Sequence, residues 1–231
     1  TRAPSLETRL RQAVAVAASA WREVAFNRAF LLILVGALLF VFGYGWDVGA
    51  GTFGTWSWPV THLVAGAVLS EALAPVMALL IAIFAGELIW RERDVRLGDI
   101  AAVTPIPNWV ALLGRFLALV AMLITLQAVF AIAGVLLQTI RGYANYEFDV
   151  YARLLLGISL VDYVLLGALA MAVHVIVDNK YLGHMVVVLY FASTVVSGLI
   201  GIDHNMLIYG SDPGWIWSDL NGLAPFIGGL V

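Results

Sequence analysis

Residues 86–109 read GELIWRERDVRLGDIAAVTPIPNW, from Gly86 to Trp109. A short charged helix and a proline break stand there between two apolar, membrane-length segments. Glu87 and Arg91, then Glu92 and Arg96, are spaced i,i+4, which supports a helix by a few tenths of a kcal/mol per pair, about 0.2–0.5. Helical propensity runs on to about Val103. Pro105 and Pro107 then remove amide donors and restrict the residues before them, so the chain must turn before Asn108 and Trp109 open the next segment. The spacing therefore predicts a helix, a corner and a return. Such a polar elbow could carry a push from a soluble partner into the bilayer, or its charges could simply fix topology.

The rest of the chain decides the class. Of 231 residues, 62% are hydrophobic and 12% charged, whereas ordinary soluble domains lie near a half and a quarter. Five apolar stretches approach or exceed the roughly 20 residues that a helix needs to cross a hydrocarbon core. They are Phe30–Trp46, Leu69–Trp90, Trp109–Leu137, Leu154–Val177 and Tyr181–Ile200. Backbone amides in lipid must be bonded within their own element, and the two-residue alternation of a barrel is missing, so the predicted fold is all-α. The third stretch would be roughly 43 Å long at about 1.5 Å per residue; it must tilt or project, and projection at its Trp109 end is expected.

Arginines set the orientation. Arg2, Arg9, Arg11, Arg22 and Arg28 precede the first span, Arg91, Arg93 and Arg96 follow the second, and Lys180 follows the fourth. These fall on one side of an alternating five-span bundle, against Arg141 and Arg153 on the other, so the amino terminus is expected in the cytoplasm. Trp46, Trp58, Trp90 and Trp109 fall near predicted boundaries, as an aromatic belt requires. Before the first span, Leu6, Leu10, Val14, Ala17, Trp21 and Val24 line one face of an amphipathic opening helix, residues 1–28, suited to the membrane interface. Pro4 and Ser5 supply its start. One membrane domain is expected over 1–231, with a five-span bundle at 29–200 and an extracellular or re-entrant segment at 201–231. Thr1 in place of an initiating Met and the apolar end Leu223–Val231 lead to the expectation that the chain is part of a longer polypeptide.

Several chemistries are excluded. A net charge of -3 with no long Lys/Arg tract leaves nucleic acid an unlikely partner, and zero cysteines remove disulfides, thiolate metal sites and cysteine nucleophiles. Asp162, about a third of the way along the fourth span, is the one candidate for a translocation path, although a hydrogen bond to a neighbouring helix is the favoured reading. Glu71 is expected at the interface end of the second span, with Pro75 kinking the helix after it. His174, Asp178 and His184 are near one another in sequence, but nothing else supports a metal and none is expected. Asp203, His204 and Asn205 are read as capping and turn residues beyond the fifth span.

The order of opening helix, two spans, charged helix, three spans and amphipathic tail resembles the membrane domain of type-2 ATP-binding-cassette (ABC) permeases. The strings GELIWRERD (86–94), VTPIPNW (103–109), DNKYLGH (178–184) and Asp203-His204-Asn205 with Tyr209-Gly210-Ser211 are similar to bacterial proteins in which such a permease is fused to a gluzincin-type zinc aminopeptidase. The similarity runs from about Ala29 to Asn221. It implies an exporter permease in a bacterial inner membrane, paired with a second permease half or protomer and with an ABC ATPase subunit that carries ATP and Mg. By the same resemblance the segment from Arg91 to about Val103 is the coupling helix, with Glu87, Arg91, Glu92, Arg93, Asp94, Arg96 and Asp99 at the ATPase contact. The family's sixth span is missing. Neither HExxH nor a Gly-rich Lys-Ser/Thr loop is present, so no hydrolysis is expected from this chain itself. The alternative function is a membrane anchor or scaffold for an attached aminopeptidase domain. Substrate identity is not written in the sequence: the family implies peptides, lipids, antibiotics or polysaccharides.

Overall fold

The computed structural model describes residues 5–48, 58–94, 107–199, 209, 210, 217, 218 and 220–226, with side chains of 92–94, 195 and 197–199 left aside. Among these residues every extended element is helical. Four helices are long and apolar enough to span a membrane. Their outward faces carry large apolar side chains, including Leu32, Ile132 and Ile176 at 73%, 61% and 80% exposure. A water-soluble monomer rarely shows so much contiguous apolar surface. The architecture is compatible with a helical membrane protein.

Helix α1 (Leu6–Ala25) begins where expected: the Ser5 hydroxyl accepts from the Thr8 amide, and Glu7 pairs with Arg11 at 2.7 Å. Asn27 caps α2 (Arg28–Trp46) by accepting from the Ala29 amide at 2.8 Å. The amphipathic stripe of α1 divides between two environments. Ala13 and Val24 are buried, with Ala17, Ala20 and Trp21 packed beside them, while Leu6, Leu10 and Val14 remain exposed. The sequence placed this whole face at the interface. Instead the small residues let α1 approach α5 (Asn108–Ile140) closely, with Ala13 and Val16 lying over Gly114. Trp21 Nε1 donates to Thr125 Oγ1 at 3.1 Å farther along.

The second predicted span begins earlier than its apolar run. It opens as α3 (Thr61–Leu63), widens into a π-helix (Val64–Ala72) and continues after Leu73 as α4 (Ala74–Asp94). Pro75 sits at the junction. It has no amide hydrogen to donate toward Glu71, and the change from π to α geometry absorbs that missing bond. Glu71 is exposed as expected, but it lies ten residues past Thr61 rather than at the helix end.

The fourth predicted span has the same plan: α6 (Phe148–Tyr151), a π-helix (Ala152–Ser159), then α7 (Leu160–Val177). The two π segments pack together. Ser159 and Ser70 share a hydrogen bond of 3.0 Å, and Ser70 Oγ returns to Ala65 O at 2.9 Å. A fifth helix, α8 (Lys180–Leu199), matches the last predicted span within one residue at each end; it is not among the four counted above.

Helix α5 is the mast of the bundle. Its 33 residues reach about 50 Å, longer than the predicted third span, and Leu119, Leu123, Leu126 and Phe130 are fully enclosed. At its far end the buried Gln138 donates to Pro59 O at 2.8 Å and to Thr61 at 3.2 Å, and accepts from the Tyr151 hydroxyl at 2.9 Å. Those bonds tie α3, α5 and α6 together. At its near end Pro107 is extended (φ -61°, ψ 142°), the predicted start of the return.

Candidate functional site

The last three turns of α4 form the root of the charged elbow, and three of their side chains reach three other helices. Glu87 and Arg91, read in sequence as an intrahelical pair, turn to partners elsewhere. Glu87 Oε2 lies 3.4 Å from Lys180 Nζ on α8. Arg91 forms an ion pair with Glu23 on α1. Both pairs are half-exposed, which limits each to well under about 1 kcal/mol of stability; they orient helices more than they hold them.

Trp90 makes the third connection. Its indole N–H donates to His174 Nδ1 on α7 at 3.2 Å. The aromatic-belt expectation fails here: Trp46, Trp58 and Trp109 are 46%, 61% and 43% exposed, but Trp90 is only 8% exposed. It is an internal fastener. Ala82, Gly86 and Trp90 recur every four residues, so one stripe of α4 faces α7 and α8.

Two glycines make that contact possible. A Cβ on Gly86 would lie 2.7 Å from His174 Nε2 and would strike His184; a Cβ on Gly183 would strike the His174 ring. The His174 imidazole, 1% exposed, is thus held between α4 and α8. Its centre lies 4.6 Å from that of His184, edge to face at 73°. His184 Nδ1 in turn donates to Ala82 O at 3.1 Å.

The α7–α8 turn places these groups. Asp178 adopts a left-handed conformation (φ 49°, ψ 28°), which Asp tolerates better than most residues, and ends α7. The Asn179 side chain then accepts from the Leu182 amide at 3.0 Å and starts α8. So short a turn brings Lys180, Gly183 and His184 back onto α4. Two strings far apart in sequence, GELIWRERD and DNKYLGH, therefore meet in space.

The other predicted site residues lie elsewhere. Arg96 and Asp99 are outside the described residues, as are the continuation of the helix to Val103 and Asp203, His204 and Asn205. Glu92, Arg93 and Asp94 belong to the last turn of α4, and their side chains are likewise outside. Asp162 is half-buried, one position from Tyr163, whose hydroxyl lies 3.5 Å from Ser70 O. It is twelve residues from His174, about 18 Å along α7, so it lies away from the elbow.

An apolar groove of about 540 Å³ between α5 and α7 is lined by Trp109, Leu112, Phe116, Met171, Val175 and Ile176 among others. Among the described residues its lining is apolar, and Asp162 is not part of it. Among the described residues no three His, Cys, Asp or Glu side chains gather as metal ligands. Sequence reasoning missed Glu23, Trp90, Gly86 and Gly183 as parts of this corner. Compared with protein-family models, curated proteins and solved structures, the chain matches none.

Proposed function

We propose that the chain is the permease part of a type-2 ABC exporter in a bacterial inner membrane, with its amino terminus cytoplasmic and five crossings that include α8. A separate ATPase subunit, carrying ATP and Mg, would seat the elbow formed by Glu87, Arg91, Glu92, Arg93, Asp94, Arg96 and Asp99. A second permease half or protomer completes the transmembrane unit.

One observation carries this reading: the root of the elbow is fastened to three helices at once. Arg91 engages α1, Glu87 engages α8, and Trp90 engages α7. A displacement of the elbow would then be shared by the amphipathic α1 and by α7 and α8, two of the proposed crossings. A topological loop needs no such fastening. Beyond α8, the Tyr190 hydroxyl donates to Tyr209 O at 3.0 Å. Tyr190 lies nine residues before the end of α8, about 14 Å, so Tyr209 sits beside the body of the helix, which supports a re-entrant reading of this segment. Asp162, in the first turn of α7, remains the candidate for the translocation path.

The test is the triple charge reversal R91E/R93E/R96E in this protein, reconstituted with an ABC ATPase subunit that the unaltered protein captures. Capture of the ATPase should weaken by about 30-fold or more, the scale of removing interfacial charge partners, and stimulated ATP turnover should fall with it. If capture and turnover both survive, the coupling assignment fails and a membrane anchor for an attached aminopeptidase is the reading left.

A further inference from the structure

The hydrogen bonds around His174 fix its protonation state. Trp90 Nε1 can only donate, so His174 Nδ1 carries a lone pair and the neutral ring holds its proton on Nε2. That Nε2 is buried against Gly86 and has no hydrogen-bond partner. Ala82 O can only accept, so His184 carries its proton on Nδ1. The corner is built for two neutral imidazoles.

A further proton has no comfortable place on His174. It must go to Nδ1, where it would face the Trp90 N–H donor to donor, and it would put a cation on a ring 1% exposed between two glycines. The charged groups brought to this corner are Glu87 and Arg91 from α4, Lys180 from α8 and Glu23 from α1, with Asp178 at the end of α7. Glu87 is engaged by Lys180 and Glu23 by Arg91.

We propose that His174 is a proton-operated latch: taking up one proton breaks its bond to Trp90 and parts α7 from α4. The latch does not depend on the transport reading, since it is a property of the packing of three helices. The parted form binds one proton more than the closed form. By linkage its share rises as pH falls, by up to about tenfold per pH unit for a single proton. Histidine ordinarily titrates in the range where such a switch operates.

The chain has no cysteine, so a spin-label pair at L79C and I176C, both exposed positions on α4 and α7, reports the distance without background. In lipid nanodiscs the full chain should give one distance at pH 8 and a second, longer population at pH 5. His174→Asn keeps an acceptor near the Nδ1 position but cannot take the proton, and should stay closed at both pH values. Trp90→Phe removes the bond and should be parted already at pH 8. H184N and E87Q should respond like the parent. The latch is overturned if the parent shows no acid response, if the response persists in His174→Asn or is lost in E87Q or H184N, or if Trp90→Phe stays closed. Circular dichroism and a monodisperse elution profile identify variants that fail to fold; if His174→Asn is one, Trp90→Phe decides the question alone.

Discussion

Gly86 and Gly183 are small because a histidine ring occupies the space their side chains would need. Replacing Gly183 with Val should force His174 aside, and overpacking of this kind costs about 1–3 kcal/mol. The thermal unfolding midpoint in detergent should fall accordingly, whereas the same change at Gly36, where a Cβ meets nothing within 4 Å, should leave it nearly unchanged. Equal midpoints for the two variants would contradict the packing described. Little of this was legible in the sequence. Glu87 and Arg91 stood out as charges in a greasy chain, but spacing rules speak only within one helix and so paired them with each other. Trp90 and His174 are 84 residues apart, and no periodicity links them. A tryptophan at a span boundary satisfies an aromatic belt and an internal hydrogen bond alike, and only the fold distinguishes the two.

Helices were the most legible elements, because apolar length and caps are written locally. Ser5 and Pro107 mark starts that the structure keeps, while the cap at Asn27 was not read from the sequence. The π-helices were not legible: their signature is one extra residue per turn, which shifts side chains without changing composition. The placement of α1 was half legible. Its stripe predicts an apolar face, but whether that face meets lipid or another helix depends on a glycine at position 114, far along the chain. Substituting Leu at Gly114 should lift α1 from α5, since even a Cβ would approach Val16 to 2.8 Å. A single cysteine at Val16 should then react with maleimide several times faster than in the Gly114 parent. An unchanged rate would mean that α1 does not rest on this surface.

At the scale of the whole molecule, the helical class followed from composition and backbone hydrogen-bonding alone, and four apolar helices of spanning length agree with it. The proposed orientation rests on the sequence expectation that nine cations, from Arg2 to Lys180, share one side of an alternating bundle, against Arg141 and Arg153. The proposed mechanism adds a demand of its own: the elbow must face the compartment that holds ATP. A cysteine placed at Arg93 in the otherwise cysteine-free chain can be probed in whole cells with a maleimide that does not cross the membrane. The account predicts no labelling until the cells are permeabilised, and strong labelling afterwards; labelling of intact cells would put the elbow outside and contradict it.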